Sequence, residues 1–166
     1  MKACILKPIM WNTLDYKHPS GAPSGGYPKI HGFGFEEWNN NDSMVWNDHR
    51  IFHTETTKRL DQFVQDDAND LSMLMITSQG RHQYALGIAC NVKQVPSSLR
   101  ETIEDELSLY ELSNELWGLE KVKKCYNYKE NDFLEFWKSD RITAFRWMCR
   151  RSDYYWFDKP IEINAQ

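Results

Sequence analysis

Between Trp11 and His49 the chain reads WNTLDYKHPSGAPSGGYPKIHGFGFEEWNNNDSMVWND, with neither a helical nor a strand period. A compact domain keeps an aperiodic connection of this length when the segment is functional or disordered. Disordered segments are poor in aromatic residues. This one carries Trp11, Trp38 and Trp46 among its Gly and Pro residues, with the acidic pair Glu36 and Glu37 and the run Asn39, Asn40, Asn41. The expectation is an ordered loop laid against the body of the protein, and the first place to look for a binding site.

The body must be large enough to receive such a loop. At 166 residues the chain, 1–166, is expected to form a single domain, and 41% hydrophobic with 14% aromatic residues suffices for a core without staples. No apolar run approaches the length that spans a bilayer. The opening MKACILKPIMWN turns polar too soon for a signal peptide. The expected location is cytoplasmic, with no membrane partner. Cys4, Cys90, Cys125 and Cys149 are scattered without a C-x-x-C pair, so buried free thiols are expected rather than a metal or redox site.

The net charge of -4 argues against a generic nucleic-acid coat protein, but the charge is uneven. Residues 56–137 hold 9 basic and 14 acidic groups, whereas residues 138–160 hold 6 basic and 3 acidic ones. A local basic patch backed by an acidic surface can hold a phosphate backbone without making the whole protein adhesive. The alternative is a short solvated basic segment.

Residues 2–9 read as a buried strand stopped near Pro8, and 49–55 as a short strand. The segment 56–70 places Leu60, Phe63, Val64 and Ala68 on one helical face, with Thr54 or Thr56 as cap. Residues 71–78 and 83–95 form a hairpin about Gln79–His82. Ser98 and Glu101 fit a capping box for a helix whose inward face is Ile103, Leu107 and Tyr110. Helical spacing resumes, after a break, at Leu112, Leu116, Leu119 and Val122, and a shorter helix covers NDFLEFWKSD. RITAFRWMCRR and DYYWFDKPIEI are expected as closing strands. Alternation in the first puts Phe145, Trp147 and Cys149 on its more apolar face, with Trp147 inside. The fold class is α+β, a small curved sheet with inserted helices. Strands from both termini suggest closure into a barrel, which removes exposed edges.

Three segments resemble the PUA-like superfamily, which includes EVE, YTH, ASCH and SRA domains. ILKPIMWN is similar to the opening strand of EVE domains. Tyr84-Ala85-Leu86-Gly87-Ile88-Ala89-Cys90-Asn91-Val92 resembles their central strand, and Phe145-Arg146-Trp147 with Tyr155-Trp156-Phe157 falls where late barrel strands lie. HGFGFEEWNNN matches no motif of that superfamily, and the helical insertion 97–139 is longer than expected of it. The resemblance implies a PUA-like β-barrel that binds nucleic acid, often through a modified base held among aromatic side chains between barrel and loops.

The residues are compatible with that chemistry. A base lifted from its stack needs flat faces and polar groups for its edge. Three loop tryptophans each precede an asparagine: Trp11–Asn12, Trp38–Asn39 and Trp46–Asn47. The expected pocket is Trp11, Asn12, Trp38, Asn39 and Trp46, with Trp147 and Trp156 added from the closing strands. Arg146, Arg150 and Arg151 are expected to touch phosphates as one positive surface. Alternatively, each loop tryptophan is an anchor that pins the loop to the core.

Rival constellations are weaker. On a strand His49, His53 and Glu55 would share a face, with His31 joining from the loop, and three N/O ligands with an open position suit catalytic zinc. No H-E-x-x-H motif accompanies them. The Gly32-Phe33-Gly34-Phe35 turn lacks the phosphate-loop pattern. Glu36 and Glu37, being adjacent, point apart in an extended chain; one of them is expected to bond an exocyclic amine or the loop backbone. No nuclease signature is present, so no catalytic residue, metal or cofactor is expected. The expected partner is nucleic acid, DNA ahead of RNA, with a separate effector or nuclease protein doing any cutting. The alternatives are a small metal-dependent hydrolase using His49, His53 and Glu55, and a protein-interaction module built on the aromatic surface.

Overall fold

The structure is a computed structural model that describes residues 1–22, 25–66 and 69–163, without the side chains of residues 140–144. The chain opens with β1 (Lys2–Pro8), then α1 (Tyr27–His31), β2 (Val45–Trp46), β3 (His49–Phe52) and α2 (Lys58–Gln65). The hairpin β4 (Asp70–Gln79) and β5 (His82–Ala89) leads to β6 (Lys93–Gln94). Helices α3 (Arg100–Glu106), α4 (Leu112–Trp117), α5 (Glu120–Cys125) and α6 (Glu130–Ala144) follow, and β7 (Trp147–Arg150) and β8 (Tyr154–Ile163) close the chain.

The strands form two four-stranded sheets, ordered β1-β4-β5-β8 and β2-β3-β7-β6. β1 pairs with β4 in parallel, and the other pairings are antiparallel. The second sheet separates two cores, because successive residues of a strand face opposite ways. Phe52, Trp147 and Cys149 point to the first sheet and meet Leu71, Met73, Met75, Leu86 and Tyr154. Ile51 and Met148 point to the helices and the long loop, among Phe33, Phe35, Trp38, Phe133 and Trp137.

The α+β class stands, and the closed barrel does not. β1 and β8 remain the two open edges of the first sheet. Those edges carry other protections: β1 holds Lys2, Lys7 and Pro8, and β8 holds Asp158, Lys159 and Pro160. The expected strand 83–95 is broken at Asn91, which takes a left-handed φ of 51°. Asparagine tolerates that conformation, and the bend sends Lys93–Gln94 to pair with β7. The chain crosses back between β7 and β8 at the same place. There Cys90 N–H donates to Asp153 O at 2.8 Å, and Asn91 Nδ2 donates to Asp153 Oδ2 at 3.0 Å.

Other boundaries also differ from expectation. Thr57 caps α2, its Oγ1 accepting from Leu60 N–H at 3.2 Å. Ala68 lies outside the described residues. A 3-10 turn over Ser97–Leu99 displaces the expected Ser98 cap, and no side chain caps α3. Tyr110 is exposed rather than inward. α6 continues to Ala144, so the strand expected from Arg141 begins only at Trp147. Phe145 therefore belongs to the helical core, not to the face of Trp147 and Cys149. The cysteines are free, but only Cys149 is buried, and burial pushes its thiol up to about 12.

The long loop is ordered over its described residues and closes on itself through one carboxylate. Glu37 is fully buried. Its Oε1 accepts from Ser20 N–H at 2.8 Å and Asn12 Nδ2 at 3.0 Å, and its Oε2 from Gly34 N–H at 3.2 Å. Of the acidic pair, Glu37 bonds the loop backbone at Ser20 and Gly34, while Glu36 Oε1 accepts from Met10 N–H at 3.4 Å just before the loop. Burial raises the Glu37 carboxyl above the ordinary value despite its donors, because desolvation disfavours the charged form.

Candidate functional site

Where the first turns of the loop meet β8, the surface opens into a cavity of about 290 Å³. Trp11, Tyr16, Trp156 and Phe157 give it aromatic walls, Leu86 and Pro160 complete the apolar lining, and Asp15 stands with them. Small-molecule pockets run from roughly 300 to 1,000 Å³, so this one has room for a single flat ring system.

Local chemistry explains each wall. Asn12 winds the loop: its Oδ1 accepts from Leu14 N–H at 2.6 Å and Tyr16 N–H at 3.0 Å, while Nδ2 donates to His18 O at 2.9 Å and to Glu37. This is an Asx turn, and it consumes the amide. Asp15 and Tyr16 both take φ of 55°. Two consecutive non-glycine residues in the left-handed region cost free energy and are held by the surrounding bonds. Tyr16 is buried, and its hydroxyl donates to Met10 O at 2.7 Å; burial pushes its phenol well above the ordinary value. Asp15 is oriented as well. Its Oδ2 accepts from Asn40 Nδ2 at 2.9 Å, and Trp156 Nε1 lies 3.4 Å from its Oδ1.

On the strand side, Gly87 sets the approach of β8. A Cβ at Gly87 would lie 2.6 Å from Tyr155 O and 2.9 Å from the Trp156 ring. Only glycine lets the two backbones come this close. The register then jumps from Gly87 opposite Trp156 to Ala85 opposite Ile161. The residues Phe157–Pro160 bulge out against Leu86, and Phe157 and Pro160 enter the cavity wall. Tyr16 at 5.0 Å and Tyr154 at 6.4 Å back the Trp156 ring, and Tyr84 at 6.4 Å backs Trp11.

The cavity gathers three of the expected residues, Trp11, Asn12 and Trp156, but the asparagine serves the loop rather than a ligand edge. Trp38 and Trp147 are not at its surface. Each is fully buried: Trp38 against Trp137 and Phe145, and Trp147 between the sheets with Nε1 donating to Thr54 O at 3.1 Å. Neither has a face open to a base, so the seven-residue pocket expected from the sequence is not assembled. Asn39 pins the loop to the start of the next segment, donating to His53 O at 2.8 Å and accepting from His53 N–H at 3.0 Å. Trp46 is half-buried, and its Nε1 donates to Glu106 Oε2 at 2.8 Å.

The three arginines do not share one surface depression. Arg150 lines an open trough of about 880 Å³ together with His49 and Lys93. Arg146 lines a cleft of about 600 Å³ with Glu36, His53 and Glu55. Arg151 is exposed on the turn between β7 and β8. The cleft and the aromatic cavity adjoin a common hollow of about 390 Å³, which shares Trp11 with the cavity and Pro8, Ile9, Met10 and Gly25 with the cleft. The larger trough is wider and more polar, a surface for a chain rather than a socket for a ring.

The metal constellation is not assembled. β3 ends at Phe52, so His53 and Glu55 leave the strand and face the cleft while His49 faces the trough. His31 stacks on Phe136 at 4.3 Å and bonds the Tyr126 hydroxyl at 2.9 Å. Among the described residues no group of three or more His, Cys, Asp or Glu side chains could hold a metal ion. Among the same residues no helix is long and apolar enough to cross a membrane.

Asp15, Tyr16 and Phe157 were not singled out from the sequence. Asp15 and Tyr16 sit in an aperiodic stretch whose winding depends on Asn40, far along the chain. Phe157 was legible only as part of an aromatic strand. Compared with known proteins, the chain matches no family model, no curated protein and no solved structure.

Proposed function

We propose that this chain is a cytoplasmic, non-catalytic reader of nucleic acid, DNA ahead of RNA, that receives one base, a modified one, in the cavity between Trp11 and Trp156. The observation that carries the reading is that cavity. It holds two half-buried indoles on separate backings, a buried tyrosine and a volume suited to one ring system. Base–aromatic stacking replaces the stacking a base loses when it leaves a helix or strand. The adjoining hollow and the Arg146 cleft give the rest of the strand a path. The trough with His49, Lys93 and Arg150 offers cationic contact to phosphates. The reading agrees with the resemblance of the first strand, the Gly87-Ile88-Ala89 strand and the closing strands to PUA-like domains, here as an open-sheet relative. Cutting, if coupled to recognition, falls to a separate effector or nuclease protein.

The test is a salt-dependent fluorescence titration with single- and double-stranded oligonucleotides, on the native protein and on Trp156→Leu. Leucine keeps apolar bulk against Tyr16 and Tyr154 and removes the flat face. Native binding that weakens with salt is expected, together with an affinity loss of about 1–3 kcal/mol in the variant measured at a temperature where its melting curve shows it folded. No binding by the native protein, or equal binding by the variant, overturns the proposal.

A further inference from the structure

Asp15 narrows the class of base. Resting on the reader function above, we infer that the cavity selects a positively charged base, a purine methylated on a ring nitrogen, over its neutral parent. Among the described residues that line the cavity, Asp15 is the one charged side chain. Asp15 is exposed at the cavity rim, and its carboxylate is held in place there. Asn40 Nδ2 holds both its Oδ2, at 2.9 Å, and its backbone carbonyl, at 3.0 Å, and Trp156 Nε1 lies 3.4 Å from Oδ1. The backbone that presents it is wound left-handed at Asp15 and Tyr16, a conformation that non-glycine residues keep only where the surroundings impose it.

The rest of the wall offers little that a neutral base edge requires. The Asn12 amide is bonded at both ends to the loop, and the Tyr16 hydroxyl donates to Met10 O. What remains is the two indoles, the Thr13 hydroxyl and one fixed carboxylate. An aromatic face attracts a cation through its quadrupole, and a carboxylate at the rim supplies the opposite charge and accepts N–H donors from the ring. A neutral purine gains the stacking and hydrogen bonds to the Asp15 carboxylate or the Thr13 hydroxyl. A ring-methylated purine gains the stacking, the cation–π attraction and the charge pair.

The experiment titrates tryptophan fluorescence with the monophosphates of 1-methyladenosine and adenosine, on the native protein and on Asp15→Asn. An unmodified oligonucleotide and a trimethyl-lysine peptide are the further arms. Asparagine tolerates the left-handed backbone and still accepts from Asn40, so the variant keeps the loop. The native protein is expected to bind the methylated nucleotide roughly tenfold more tightly than adenosine monophosphate, in keeping with a partly desolvated cation–aromatic contact. Asp15→Asn is expected to bring the ratio close to one by weakening the methylated nucleotide, with the melting temperature showing that the variant stays folded. Equal affinities in the native protein, or a ratio that survives in Asp15→Asn, overturn the inference. Binding of the peptide ahead of the methylated nucleotide overturns it as well, in favour of a methylated protein tail. The oligonucleotide arm separates the two levels: salt-dependent binding without a cation preference removes only this inference, whereas no binding of any nucleic-acid probe removes the reader function.

Discussion

Trp11–Asn12 and Trp38–Asn39 are the same dipeptide in the same aperiodic loop, and the fold uses their asparagines alike and their tryptophans differently. Both amides pin backbone: Asn12 the turn to Tyr16, Asn39 the segment at His53. Trp38 is fully buried beside Trp137, while Trp11 is half-buried at a cavity wall. The difference lies in what each segment packs on. Residues 33–44 lie over the second sheet beneath the helices, so every aromatic there is covered on two sides. Residues 11–16 sit at the end of the first sheet, where the bulged β8 leaves a gap. A shared dipeptide thus fixes how the backbone is tied and says little about whether the ring is a wall or a filling.

The largest effect that would break this comparison concerns Trp38. Trp38→Ala is expected to cost roughly 3–5 kcal/mol of stability, the usual range for removing a large aromatic from a close-packed core. Chemical denaturation measures it. A loss below about 1 kcal/mol would mean that Trp38 is not the anchor its burial makes it.

Glu37 comes next, since it joins both halves of the loop. Glu37→Gln keeps an acceptor towards Asn12 and Ser20 but turns an amide towards Gly34 N–H, and is expected to cost about 1–3 kcal/mol. Its pH dependence has a definite sign. Burial raises the folded carboxyl above its ordinary value of 4.5, so the folded state holds this proton more tightly than the unfolded chain. The stability tied to that proton is present below 4.5 and is lost as pH rises through the raised folded value. The native protein should therefore lose stability relative to Glu37→Gln across that window. Parallel pH profiles would remove the argument.

Trp11→Ala tests the other half of the comparison. Its stability loss is expected to be smaller than that of Trp38→Ala, while oligonucleotide affinity falls by about 1–3 kcal/mol. Equal stability losses in the two variants would erase the distinction between wall and filling.

The same contrast shows what the sequence exposed. The ordered loop, the β4–β5 hairpin and the α+β class were readable, because turn residues and periodicity act locally. The barrel was not, because closure depends on how far the chain turns at Asn91 and at Arg151–Asp153, and each turn is fixed by a bond to a distant residue. Strand propensity in Arg141–Ala144 was overridden by α6, whose earlier turns bury Phe133 and Trp137. Trp11 and Trp156 were legible as candidates from residue type. Asp15 was not, since its placement rests on Asn40, and Trp38 could not be told from Trp11 without the third dimension.

The third pair, Trp46–Asn47, sharpens the comparison with the smallest effect. Asn47 and Asp48 take φ of 45° and 64° and form the two-residue turn between β2 and β3. Positive φ at both central positions is what a hairpin turn of this length requires, so this asparagine too serves the backbone. Its tryptophan is neither wall nor filling: half-buried, it ties β2 to the end of α3 through Glu106. Trp46→Phe keeps most of the packing and removes the N–H. Because the bond is exposed, the expected loss is at the low end of about 0.5–1.5 kcal/mol. Glu106→Ala should cost a similar amount, and the double variant little more than either alone, since both changes remove one bond. Fully additive losses would show that Trp46 is held by packing, which would place it with Trp38 rather than between the two.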